Sequence, residues 1–386
     1  MTRIRIAVLC ACALAAASAV ATPAFAGSAT PTVARVSHGG FGTPAQIPWG
    51  SVGSGWVLTQ WTSAQGGVTA ATYLVLTSVA GQRYIVLQER APYGHAQLLD
   101  WSGDGQRALF HTQTRPGGLS SLLVVRLRTG AVTDSINLSR SQTNDFQSAG
   151  FTRPNGFGLV VATYTTHLVL TRYSLSGQSQ VTYPYSLASV GKLGGWLYRP
   201  DGTELALGAQ HGLAIVANDG SASPGLHLNG ASSCTPQSWW SATIVLANCL
   251  VGPHSESRLF EFPVAGGAPR ALTRDNVPPD YGDLSGWRVG GHVYVNVASA
   301  CGYIYLAKLV GAAPVMMQVP GVPAGHSVHV VGATSSSLAI TASLACHGGP
   351  SLLWYTPSTS STRVVLGPPA TGGTIEVSVP YPVRLG

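Results

Sequence analysis

The sequence predicts an all-β fold, a seven-bladed β-propeller with four-stranded antiparallel blades. Three observations predict it. An apolar or aromatic anchor recurs at spacings of 52, 50, 47, 42, 47 and 44 residues, at Trp49, Trp101, Phe151, Tyr198, Trp240, Trp287 and Val331. Each anchor is followed by a tight-turn signal and an apolar strand, and then by a second hairpin. Beyond the first 26 residues, no stretch of helical length carries a 3.6-residue apolar period. Four short strands repeated about every 40–50 residues form the signature of propeller blades. Two stacked sandwiches would not repeat one turn chemistry at a near-constant interval.

Taken in chain order, residues 1–26 read as a signal peptide. Arg3 and Arg5 precede an uncharged apolar run, Ile6 to Ala21, and Pro23-Ala24-Phe25-Ala26 supplies small residues at the −3 and −1 positions. The run is 16 residues long, short of the roughly 20 that span a bilayer. No transmembrane segment is expected after cleavage. Leu9-Cys10-Ala11-Cys12 loosely resembles a lipobox, but the apolar run continues past it. Residues 27–43 form an N-terminal segment, and 44–386 a single propeller domain.

The blades follow. "SGDGQRALFHT" after Trp101, "TRPNGFGLVVAT" after Phe151, "RPDGTELALGA" after Tyr198 and "RVGGHVYVNVA" after Trp287 each place a Gly where a tight turn needs positive φ. Second hairpins start near Thr72, Ser121, Leu168, Leu213, Arg258, Tyr303 and Ser351. The tail "TIEVSVPYP", Thr374 to Pro382, falls where a further inner strand would begin. It is expected to pair into blade one and close the ring.

"WSGDGQRALF" and "YRPDGTELAL" resemble the W-S-P-D-G-x-x-L/I-A-F repeat of TolB-like, WD-type propellers. The match is clear in blades two and four, partial in blade three and degenerate elsewhere. The resemblance implies the fold. TolB itself has six blades behind an extra α/β domain, so its role in a cell-envelope complex does not carry over.

Composition narrows the function. Only 9% of residues are charged, the chain holds two lysines (Lys192 and Lys308), and the arginines are scattered. A nucleic-acid binder would cluster them, so no nucleic-acid partner is expected. Cleavage of the signal removes Cys10 and Cys12 and leaves Cys234, Cys249, Cys301 and Cys346, an even set that reads as two disulfides in an exported protein. Counted from the anchors, Cys234 and Cys249 flank the first turn of blade five, and Cys301 and Cys346 hold equivalent places in blades six and seven. Pairs 234–249 and 301–346 are expected, with re-pairing among the four as the alternative. No C-x-x-C supports a zinc site.

Catalytic motifs are missing from the sequence. There is no G-x-S-x-G elbow, Walker loop or H-E-x-x-H pair. Ser102-Gly103-Asp104-Gly105-Gln106 misses the final Gly of an S-x-D-x-G box. Asp104, Asp201 and Asp219 precede glycines in turns. Asp100, Asp145, Asp280 and Asp283 fall near the expected starts of inner strands, which converge on the central channel. They are candidates for a sugar, peptide or cation site, or for capping strand-end amides. Trp239, Tyr281 and Tyr93 are candidates for an aromatic contact face. No metal site or cofactor is expected.

The reading is a secreted or cell-wall-associated, monomeric, non-enzymatic binding module. Its ligand is a protein, peptide or glycan at the cell envelope, held by Asp100, Asp145, Asp283, Trp239 and Tyr281. The alternative is a carbohydrate-active hydrolase that uses the channel-mouth carboxylates.

Overall fold

Along Arg107–Gln113, Ala108 and Phe110 pack toward blade one while Leu109 packs toward blade three. Side chains alternate across a strand, so a strand apolar on both faces needs a neighbour on each side. Stacking one such sheet after another has no free end only when the stack closes on itself. In the computed structural model this is what happens. Seven hydrophobic clusters are found among the described residues, one per seam between successive blades. The closing seam sets Leu352 and Trp354 of blade seven against Val57 and Trp61 of blade one.

The structure describes residues 40–63, 71–88, 96–113, 118–278, 280–343, 350–368 and 372–382, together with the strand Val33–Ala34. All belong to one compact unit, Thr32–Gly386. The residues read as a signal peptide lie outside them.

Blade two shows the pattern. Gln97–Trp101, Arg107–Gln113, Ser120–Arg126 and Ala131–Asn137 pair antiparallel in chain order from the channel outward. The innermost long strands of blades three to seven are Phe146–Phe151, Gly191–Tyr198, Ala231–Ser241, Gly282–Val289 and Val328–Ala333. Blade four adds the short strand Ser186–Leu187 inside its own, and Val33–Ala34 pairs parallel on the outer edge of blade seven. Each blade thus has a hairpin end, with turns between its first two and last two strands, and a loop end, with inter-blade connections.

Blade one closes the ring. Its inner strand is Thr374–Pro380, antiparallel to Trp56–Thr62, as the sequence of the tail suggests. The next residue completes the latch. The Tyr381 N–H donates to Trp56 O at 2.9 Å, and its ring meets Trp101 of blade two edge-on, centroids 5.1 Å apart. Trp49 is therefore not the inner-strand anchor of blade one. It sits in a turn ahead of Trp56–Thr62, with Arg128 over its ring. Counting from the N-terminus assigns blade one a first strand that the other end of the chain supplies.

The seams carry polar ties as well. The fifth residue of the second strand is an amide in blades one, five and six: Gln60, Asn248 and Asn296. Gln60 donates to Ala96 O (2.7 Å) and accepts from Leu98 N (2.9 Å) at the start of blade two. Asn296 does the same to Val328 O and Val330 N of blade seven, each at 2.9 Å. A buried amide that satisfies one donor and one acceptor of an otherwise open inner strand removes two desolvation costs at once. At the hairpin end, the turns of blades two to four are pressed together. A Cβ on Gly202, whose φ is +80°, would lie 1.8 Å from Arg153 O, so only glycine fits there.

Candidate functional site

The four candidate aspartates do not gather at one site; only Asp280 and Asp283 are neighbours. Asp100 is the fourth residue of Gln97–Trp101 and pairs with Leu109, close to the hairpin end. Asp283 is the second residue of Gly282–Val289 and pairs with Val297, near the loop end. Asp145 closes a short helix, Arg140–Asp145, before the first strand of blade three, also at the loop end. The expectation that all stand at strand starts around one channel mouth is corrected for Asp100. It directly precedes Trp101 and the first turn of the blade, so it stands at the far end of its strand, beside a register bulge between Leu98 and Asp100.

Asp100 is fully occupied. One carboxylate oxygen accepts from Trp101 N (2.8 Å) and from Arg153 Nη2 (2.9 Å); the other accepts from Phe151 N of blade three (2.7 Å). It clamps two blades together. Arg153 and Tyr198 border two small adjoining cavities here. One, about 240 Å³, also touches Asp100 and Trp196; the other, about 170 Å³, is walled by Gly103, Pro154, Pro200 and Pro382.

Asp283 is the opposite case. Its side chain is buried in the seam of blades five and six, and neither carboxylate oxygen has a hydrogen bond of normal geometry. Burial pushes its carboxyl up to about 7. The Thr273 hydroxyl, which accepts from Leu259 N–H and keeps its own proton to donate, and the charge of Arg258 oppose this, while Asp280 adds to it. Asp280 caps Gly282 N at 3.0 Å, and burial raises its carboxyl too. The buried Tyr305 hydroxyl, facing the same two acids, is pushed up to about 12, chiefly by burial.

The aromatic candidates also separate. Trp239 is buried, 8% exposed, and packs into the seam with blade four under the Arg199 guanidinium. It is not part of an exposed contact face. Trp240 is half-buried in the opposite seam, with Arg288 4.3 Å above its ring. Adjacent residues point to opposite faces, and both faces of this strand are seams, so alternation packs Trp239 against blade four and Trp240 against blade six rather than leaving one of them outside. Tyr281 is 57% exposed at the loop end of blade six, and Tyr93 lies outside the described residues. Two tyrosines not singled out from the sequence join it at that end. Tyr164, at the end of the second strand of blade three, and Tyr185, in the connection to blade four, are each 52% exposed. The His167 ring lies tilted against Tyr185, centroids 4.2 Å apart. Their only sequence signal is an aromatic beside an inter-strand loop.

Cys234 and Cys249 stand directly opposite in the first two strands of blade five and are disulfide-bonded, as their spacing suggests. The second expected pair involves Cys346, which lies outside the described residues. Among the described residues, no group of three or more His, Cys, Asp or Glu is placed to hold a metal ion, and no helix is long and apolar enough to cross a membrane.

No protein-family model matches the chain. No curated protein matches it either. Solved structures do. The propeller domain of the Trilobed protease from Pyrococcus furiosus, described as having an open velcro topology, matches with a TM-score of 0.56 at 11% identity, over 83% of this chain and 95% of that one. Oligopeptidase B from Leishmania major matches at 0.52 and 10% identity, over 81% of this chain and 49% of that one. Prolyl oligopeptidase B from Galerina marginata matches at 0.52 and 11%, over 86% and 52%. The chain thus spans about half the length of these two peptidases. At such identities the likeness carries the architecture alone, and it agrees with the seven sheets and seven seams: the chain is a seven-bladed β-propeller.

Proposed function

We propose that the chain is a secreted, non-catalytic propeller of the TolB-like type that binds a protein or glycan partner at the cell envelope through its loop end. The observation that carries this reading is the placement of the exposed tyrosines. All three that the described residues leave more than half exposed, Tyr164, Tyr185 and Tyr281, lie at the loop end, along with exposed Leu119 and Val277. Tyrosine offers a rigid apolar face and a polar tip with little rotamer entropy to lose, which suits a contact surface. The Arg3/Arg5 and Ile6–Ala21 pattern supports export, and the repeats after Trp101 and Tyr198 support the TolB-like reading. The hydrolase alternative needs carboxylates a few ångströms apart across a sugar. Asp100 and Asp283 lie at opposite ends of their blades, and Asp100 is spent on strand amides and Arg153.

The test is capture on the purified chain of cell-wall glycan and of secreted proteins from the source organism. A Tyr164/Tyr185/Tyr281→Ala variant and an Asp145→Asn variant run in parallel. The reading expects a specific retained species that the tyrosine variant loses and the Asp145 variant keeps. Retention by all three alike moves the contact off the loop-end tyrosines and overturns the proposal.

A further inference from the structure

Between blades four and five, the inner strands touch and then part. They touch where a Cβ on Gly208 would lie 2.3 Å from Cys234 O and one on Gly195 3.0 Å from Thr235 Cγ2. They part at Gly194, where an added Cβ would meet nothing within 4 Å. The opening is a cavity of about 470 Å³, within the range of small-ligand sites. Lys192, Leu193, Gly194, Ala209 and Gln210 wall one side, and Ser232 to Thr235 the other. Each facing strand is bulged beside it, at Gly195 in blade four and Ser232 in blade five. Bulges re-aim side chains and are enriched beside binding sites.

Gly194 opens the bulge of its strand, where the pairing register shifts between Gly194 and Trp196. Its φ is not left-handed and nothing crowds it, unlike Gly195 and Gly208 beside it. A glycine inside a strand marks a bulge, a tight bend or a close approach by a backbone or a ligand. No backbone approaches here, so the bulge leaves the space beside Gly194 open to a ligand. The opposite wall is rigid: the Cys234–Cys249 bond holds the strand that carries Ser232, Ser233 and Thr235.

The lining defines the ligand chemistry. It holds one ammonium, three hydroxyls and one carboxamide, and no carboxylate. The seven ion pairs among the described residues all use arginine, so the exposed Lys192 charge is left without an acidic partner there. We infer that this cleft binds an acidic saccharide, its carboxylate on Lys192 and its hydroxyls on Ser232, Ser233, Thr235 and Gln210. A peptide side chain would ask for more apolar wall than Leu193 and Ala209 provide. The inference rests on the reading of the chain as a binding module, but uses a surface separate from the three tyrosines.

Isothermal titration with trigalacturonate at low salt tests it, with the methyl-esterified trimer and an acetylated tri-glutamate peptide as comparisons. Binding of trigalacturonate alone is expected. It should weaken roughly tenfold or more in Lys192→Gln, the cost of one charge-assisted contact, and be retained in Lys192→Arg. Gly194→Leu fills the cavity without backbone strain and should abolish it. The Tyr164/Tyr185/Tyr281→Ala variant should bind the trimer normally, so loss of partner capture and loss of the cleft are read separately. No binding to the wild-type chain, equal binding by Lys192→Gln and Gly194→Leu, or tighter binding of the peptide would each overturn the assignment.

Discussion

The seam between blades two and three and the seam between blades five and six each bury an aspartate of an inner strand, and treat it in opposite ways. Asp100 accepts from two backbone amides and an arginine in one geometry. Asp283 is more deeply buried and has none of these. The difference comes from the neighbouring blade. Blade three brings Phe151 N and Arg153 to its hairpin end, where Asp100 stands. At the loop end of blades five and six, the Asp283 backbone carbonyl is served by Asn248 and Ser257, but its carboxylate, near Thr273, Asp280 and Tyr305, has no hydrogen bond of normal geometry. One acid therefore stabilises its seam because it is charged, and the other strains its seam when it is charged.

The largest effect is expected at the first seam. Asp100→Ala leaves Arg153 without its acid and two inner-strand amides without an acceptor. Removing one partner of a largely buried, hydrogen-bonded pair costs about 3–5 kcal/mol. Urea unfolding of the variant should show a midpoint drop at unchanged slope. A loss under about 1 kcal/mol, the level of an exposed ion pair, would mean that Asp100 does not clamp the blades.

At the second seam, the expected change has the opposite sign. A carboxyl held at about 7 in the fold, against an ordinary value of 3.8, binds its proton more tightly folded than unfolded. Its contribution to stability is fully present below pH about 4 and is lost as pH rises toward and through about 7. Three pH units correspond to about 4 kcal/mol, lessened by whatever relaxation admits water to the site. Asp283→Asn removes the titration. The variant should be more stable than the parent at pH 8, and the gap should narrow as pH falls and close only below about pH 4. Parallel stability–pH profiles for the two would show that the carboxylate finds a partner in the fold.

These two aspartates also mark what is legible in a sequence. Turn chemistry and two-sided apolar strands repeat in every blade, so the architecture, the closing tail and the Cys234–Cys249 pair could be read by counting. Placement of side chains within a blade could not. Asp100 finds Phe151 N and Arg153, and Trp239 packs against blade four, only once neighbouring blades stand side by side, which no local stretch such as "TPQSWWSATI" shows. Ring closure misled the count in blade one, because the strand that completes it lies more than 300 residues from its partner. The Lys192 cleft arises where two strands diverge, which no local pattern encodes. The buried amides did leave a trace: Gln60, Asn248 and Asn296 interrupt apolar strands in "VLTQW", "VLANC" and "VYVNV".

Those amides allow the finest comparison. Gln60 alone, with its carboxamide, closes both Ala96 O and Leu98 N at the start of blade two. Asn248 reaches the Asp283 carbonyl, but Ser257 Oγ donates to that same oxygen at 3.1 Å. Truncating Gln60 to alanine strands a buried donor and a buried acceptor, at about 2 kcal/mol or more together. Asn248→Ala leaves the carbonyl with its serine and should cost only about 1 kcal/mol. Combining Asn248→Ala with Ser257→Ala removes the redundancy, so the pair should lose more than the sum of the single changes. Strict additivity in that double-mutant cycle would mean that the two donors act on separate groups and that the seam of blades five and six is tied no more loosely than that of blades one and two.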